Sequence, residues 1–144
     1  MKSNKTYFND KYYKNYIKYL QKNKNRFSED DIYNFISDQK RHNNGEESLV
    51  GSLIEKIEYN NIFDGFNNTI EIVLLRENKK FILGFSLINK FKNYKEINDI
   101  YHQLISFEVR KNKHNWYLFN AKFSNGFKIE ICCCGITIKE DSRE

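Results

Sequence analysis

The sequence predicts an α+β domain: a mostly antiparallel, curved sheet of about six strands arranged as two β-meanders, with two N-terminal helices and one connecting helix. Three observations carry this. Apolar residues recur at helical spacing up to about residue 47, and after Ser48 the period shifts towards two. Strand-like runs are joined by short polar turns. The strongest of these is Asn125-Gly126, a dipeptide that tolerates the two positive φ values of a type I′ hairpin. The layout of strand, polar loop, strand, short turn, strand occurs twice, over 54–87 and 104–138, at a spacing of about 50 residues. Lys56-Ile57-Glu58-Tyr59 in the first unit compares with Ser106-Phe107-Glu108-Val109 in the second. Strands linked by short turns run antiparallel. A length of 144 residues suits one domain over 1–144, with a helical part, 1–47, packed on a β-rich body, 48–144.

The first helix is expected from Asp10 to Asn23. Lys11, Lys14, Lys18 and Lys22 form one stripe, and Tyr12, Tyr13, Tyr16, Ile17, Tyr19 and Leu20 occupy most of the opposite face. The second starts at Ser28 as N-cap, with Glu29, Asp30 and Asp31 suiting the positive end of the helix dipole. Ile32, Phe35 and Ile36 make its buried stripe, and Asn43-Asn44-Gly45 ends it. Leu53–Tyr59 reads as a strand with Leu53, Ile57 and Tyr59 on one side, followed by an Asn-rich loop over Asn60–Asn68. Thr69–Leu75, the turn Arg76–Lys79 and Lys80–Leu87 complete the first meander, with Phe81, Leu83 and Phe85 facing inward.

Ile97, Ile100, Tyr101 and Leu104 are spaced as a helix, with Asn93 and Glu96 as a variant capping box. Ile105, Phe107 and Val109 then alternate, Lys111–Asn115 is a polar turn, and Trp116–Phe123 places Tyr117, Phe119, Ala121 and Phe123 on one face. The last strand runs Phe127–Lys139. Gly135 is expected as a bulge that resets the phase between Ile129 and Ile131 on one side and Ile136 and Ile138 on the other.

Composition narrows the class. A hydrophobic content of 40% and an aromatic content of 16% support a packed core. No apolar run approaches the roughly 18 residues that span a bilayer, and the first residues lack the apolar stretch of a secretory signal, so a cytoplasmic protein without membrane contact is expected. Proline is absent and alanine occurs once, at Ala121, whereas Lys, Asn, Ile, Tyr and Phe abound. That usage follows AT-rich codons, so the net charge of +5 is weak evidence for a nucleic-acid partner. The distribution says more: residues 1–27 carry a net +7, leaving −2 for the rest.

Reaction chemistry is sparse. There is no Gly-rich phosphate loop, Cys-x-x-Cys, His-x-x-x-His or Gly-x-Ser-x-Gly. In a strand, only Cys132 and Cys134 of Cys132-Cys133-Cys134 share a side, and no second ligand cluster completes a zinc site, so packing is the expected role. His42 and His114 read as surface residues. A nuclease using His102 or His114 with Lys113 or Tyr101 is a distant alternative. Trp116 reads as core. No catalytic residue, metal or cofactor is expected. Two binding surfaces are. One is an acidic patch of Glu29, Asp30, Asp31, Asp38, Glu46 and Glu47 facing a partner protein. The other is a basic helix whose Lys11, Lys14, Lys18, Lys22 and Arg26 track phosphates.

Small size, AT-rich usage and the sheet signalled by Leu53–Phe85 and Leu104–Ile138, with its final Phe127-Lys128-Ile129-Glu130-Ile131, give a chain that resembles the immunity proteins of bacterial polymorphic toxins, including those of contact-dependent growth inhibition. The resemblance implies a non-enzymatic cytoplasmic inhibitor that binds a cognate toxin domain, a nuclease in the first instance. It carries over no residue-by-residue motif. Immunity proteins against nucleases are often acidic and this chain is basic, so either the acids near Glu29–Asp31 make the contact or the toxin surface is itself acidic. The alternative is a nucleic-acid-binding accessory or phage anti-defence protein acting through the basic helix.

Overall fold

The computed structural model describes residues 10–27, 31–43, 45–60, 68–93 and 102–142. Helix α1 (Asp10–Lys22) and the short α2 (Asp31–Ile36) precede strands β1 (Leu53–Asn60), β2 (Thr69–Leu75), β3 (Lys79–Asn93), β4 (Leu104–Lys111), β5 (Tyr117–Phe123) and β6 (Lys128–Ser142). The strands form one antiparallel sheet in the order β1-β2-β3-β6-β5-β4, not closed into a barrel. The two meanders therefore meet through their longest strands, β3 and β6.

The repeat suspected from sequence is present in the topology. Equivalent strands of the two meanders have equal lengths: 8 residues in β1 and β4, 7 in β2 and β5, 15 in β3 and β6. Each first strand has a register shift near its start, between Ile54 and Lys56 in β1 and between Leu104 and Ser106 in β4. The pairing Ser86↔Gly135 lies near the middle of the β3–β6 ladder, and a lone bridge, Leu53↔Gln103, joins the starts of β1 and β4. Leu104 N–H donates to the Ser52 carbonyl and Ile54 N–H to the His102 carbonyl, so the bridge is bonded from both sides. The two halves thus repeat one another in strand order and strand length.

The inner face carries the core. Ile70, Ile72, Leu74, Phe81, Leu83, Phe85, Phe107, Val109, Phe119, Phe127, Ile129 and Ile131 are buried there, joined by Tyr16, Leu20, Phe27, Ile32 and Ile36 from the helical part. Helices and sheet thus share one core, and each fully buried large side chain contributes roughly 1.5–3 kcal/mol.

The structure corrects several expectations. The bulges put Ile54, not Leu53, on the face of Ile57 and Tyr59, and Leu104, not Ile105, on that of Phe107 and Val109. The second helix stops at Ile36 instead of reaching Asn43. The Asp38 carboxylate accepts from Lys40 N–H and caps a separate 3-10 turn, Gln39–Arg41, a local bond that competes with helix continuation. Of the connecting helix, Asn93 instead ends β3 and Leu104 opens β4, while 94–101 lie outside the described residues. The Asn60–Asn68 loop also falls largely outside them, at 61–67.

The Asn125-Gly126 turn is not type I′. Three residues, Ser124–Gly126, form a 3-10 turn in which Gly126 alone takes a positive φ, 78°, and Phe123 N–H donates to the Phe127 carbonyl. This is the longer hairpin loop, in which one glycine in the left-handed region restores the ladder. The phase reset near Gly135 occurs, but both strands change phase together. Ser86↔Gly135 is followed directly by Ile88↔Cys133, and Leu87 between them sits at φ 52°. The register shift itself lies further along β3, between Ile88 and Lys90.

Candidate interaction surface

Helix α1 lies along the free edge of β4. The Tyr16 hydroxyl accepts from Val109 N–H at 2.7 Å and donates to the Val109 carbonyl at 2.6 Å. Two residues further along β4, the Tyr19 hydroxyl accepts from Lys111 N–H at 2.9 Å. Tyr12 donates to the Glu108 carboxylate. Helical spacing of the tyrosines matches the two-residue period of the strand, so side-chain hydroxyls complete a ladder that would otherwise end open. Tyr16 is 1% exposed, and desolvation raises its phenol well above the ordinary range. The tyrosine face is thus used within the fold, leaving Lys11, Lys14, Lys18 and Lys22 on the solvent side.

Arg26, assigned above to phosphate binding, has a structural task. Its guanidinium donates to Asn115 Oδ1 at 3.0 and 3.2 Å and to the carbonyls of Lys111 and Asn112, pinning the turn between β4 and β5. That turn needs support: Asn115 is at φ 64°.

The acidic residues are dispersed in role. Glu29 and Asp30 lie outside the described residues, and Asp31 opens α2. Asp38 caps the 3-10 turn, while Glu46 and Glu47 are exposed in the turn before β1. An ion-paired link that the sequence reading missed joins this region to β6: Glu140 bonds Lys79 at 2.8 Å and Arg41 at 3.1 Å. The Lys79 bond, then Arg41, holds its carboxyl below the usual range.

The outer face of the sheet is covered by neither helix and is polar on both halves. On the first meander a groove of about 330 Å³ is lined by Glu58, Thr69, Glu71, Ser86 and Thr137. Lys56 lies 3.7 Å from both carboxylates. On the second, a groove of about 320 Å³ is lined by Tyr12, Glu108, Arg110, Asn120, Lys122, Lys128 and Glu130. The register sets its rows: Lys90, Cys132, Leu118, Arg110; then Lys92, Glu130, Asn120, Glu108; then Lys128, Lys122, Ser106. Arg110 bonds Glu108 at 2.6 Å and lies 4.4 Å from the Tyr19 ring centre. Glycines keep the central outer face shallow. A Cβ on Gly84 would meet Thr137 Oγ1 at 2.7 Å, and one on Gly135 would meet Ser86 Oγ at 2.5 Å.

Groups with reactive chemistry mostly point inward. His42, expected at the surface, is 7% exposed: its ring stacks on Phe107 at 4.4 Å and its Nε2 lies 2.6 Å from the Ile36 carbonyl. Burial pushes its pKa down to about 4. His102, 4% exposed, stacks on Phe127, and His114 is exposed in the β4–β5 turn. Cys133 is buried and pushed up to about 12 by desolvation, whereas Cys134 is exposed. Trp116 is half-buried at the start of β5 and not part of the core cluster, because it sits in the turn before the strand enters the sheet. Among the described residues no group of three or more His, Cys, Asp or Glu is placed to hold a metal ion. Among the described residues no helix is long and apolar enough to cross a membrane.

The chain matches no protein-family model, and none of the curated proteins is detectably similar to it.

Proposed function

We propose that this chain is a non-enzymatic immunity protein, which neutralises a cognate bacterial toxin domain in the cytoplasm by covering its active site or substrate path. The observation that carries the reading is the outer sheet face, a platform of charged and polar side chains that neither helix covers, on a backbone held by the pairing of six strands. A pre-ordered surface of this kind loses little conformational freedom on association, which favours tight binding. The placement of His42 and Cys133 supports the same reading, since burial holds both in their uncharged, unreactive forms.

The test is growth rescue and copurification. Toxin domains encoded beside the gene are expressed with and without the chain. Relief of growth arrest together with a stable one-to-one complex is the expected result. Arrest that persists at full expression of folded protein, with no complex, removes the reading.

A second reading, a nucleic-acid-binding accessory protein, is favoured by the exposure of Lys11, Lys14, Lys18 and Lys22 along α1. It predicts binding to DNA or RNA that weakens steeply with salt and is lost when all four are changed to Glu. The consumption of Tyr16 and Tyr19 by β4 weakens it, because those rings are not free to stack on bases.

A further inference from the structure

We infer that the toxin docks on the outer face of the second meander and the adjoining flank of α1, and that it presents an acidic protein surface there. This rests on the immunity reading and deepens it.

The charge on this face is local. Its rows hold Lys90, Lys92, Arg110, Lys122 and Lys128 against Glu108 and Glu130, a net +3. Glu108 is already engaged by Arg110 and the Tyr12 hydroxyl. The equivalent face of the first meander is balanced, with Lys56, Lys80 and Lys139 against Glu58, Glu71 and Asp141. A lysine-rich composition acting uniformly would have charged both halves alike. Helix geometry extends the positive surface. Lys11, Lys18 and Lys22 follow one another beside Tyr12 and Tyr19, the two tyrosines that reach Glu108 and the β4 edge at Lys111.

The register adds a second observation. Lys122 and Lys128 are directly opposite each other on β5 and β6, and among the described residues neither has an ion-pair partner. Like charges in direct cross-strand register destabilise a sheet, and the next row places Lys92 against Glu130 instead. The fold thus retains a local repulsion that a carboxylate from outside would relieve.

The patch has an apolar border. Leu87, 45% exposed, sits at φ 52° beside the exposed Cys134, where the two meanders join. A leucine rarely adopts that conformation, which Asn or Gly takes readily. This exposed aliphatic side chain, beside the Lys90–Cys132 row, adds an apolar contact at the edge of a surface otherwise held by charge. Single-stranded nucleic acid would be expected to find rings to stack on. Among the described residues the two markedly exposed tyrosines are Tyr12, which is bonded to Glu108, and Tyr59, which belongs to the inner face.

The experiment uses the toxin domain recovered by growth rescue. Lys122→Glu and Lys128→Glu each turn a like pair into an opposite pair, so each is expected to raise the melting temperature while weakening the complex about tenfold or more. Leu87→Asn is expected to keep the fold and weaken binding about tenfold. Glu46→Lys/Glu47→Lys is expected to leave affinity within about twofold. Full affinity in both lysine variants, with loss in Glu46→Lys/Glu47→Lys, moves docking to the helical side and overturns the inference while sparing the immunity reading. Tight binding of a single-stranded RNA or a DNA duplex of about 20 nucleotides at about 150 mM salt, abolished by Lys122→Glu, assigns the face to nucleic acid and overturns it as well. Failure to recover any toxin that the chain neutralises removes both.

Discussion

Burial keeps the His42 imidazole neutral, and that has a consequence for pH. Its folded pKa, about 4, lies below the unfolded value near 6.5. The native state therefore excludes a proton that the unfolded chain accepts. The stabilisation is complete above pH 6.5 and is lost progressively as pH falls towards 4, by about 3 kcal/mol for this group. Urea titrations at pH 7 and 4.5 should show that loss, and His42→Gln should reduce the difference. At the same scale, folded protein should react with one equivalent of a maleimide at pH 8, at Cys134, because Cys133 is buried and pushed up to about 12. Labelling of all three thiols without denaturant would contradict the burial of Cys132 and Cys133 in β6. From strand alternation and the lack of a second ligand cluster the sequence assigned all three cysteines a packing role, which fits the buried Cys132 and Cys133 but not the exposed Cys134. It placed His42 at the surface, because nothing local marks a histidine that stacks on Phe107 from 65 positions away in the chain.

Helix α1 protects the β4 edge of the sheet through its tyrosine hydroxyls. In Tyr16→Phe, the N–H and carbonyl of Val109 lose their partner in a buried setting, at a cost of about 1–3 kcal/mol for each group left unpaired. Denaturant unfolding should read a loss of about 2–4 kcal/mol. Tyr16→Phe/Tyr19→Phe should also open the β4 edge to other chains, seen as concentration-dependent association in sedimentation velocity. The aromatic stripe of α1 was legible from its spacing, as was the solvated lysine face. Which atoms the tyrosines bond was not, since β4 begins more than 80 residues after Tyr19. Bulges were the weak point of the strand reading: Ile54 and Leu104 exchange faces with their neighbours through backbone irregularities that side-chain alternation does not encode.

For the whole molecule, the order β1-β2-β3-β6-β5-β4 makes the β3–β6 ladder the step that joins two otherwise local meanders. Those pairings span long stretches of chain, from Asn93↔Ile129 to Lys79↔Ser142, so loop closure precedes their reward. Refolding is expected in milliseconds to seconds. Leu83→Ala in β3 should slow folding, whereas Leu20→Ala in α1 should mainly speed unfolding, as measured by stopped-flow chevrons. Equal effects of both on the folding limb would place the helix in the transition state as well. The same topology brings Lys90 and Lys92 of β3 beside Lys128, Lys122 and Arg110, residues from four strands that nothing in the linear sequence groups together.

Local patterning by itself determined the α+β class, the two meanders and most strand cores, because side-chain periodicity and turn chemistry act over a few residues. The tertiary structure alone decided which strands became neighbours, which edge α1 covers and where positive charge accumulates. Those properties arise from pairing between segments distant in the chain, and the registers that set them are stabilised by the packed core as a whole.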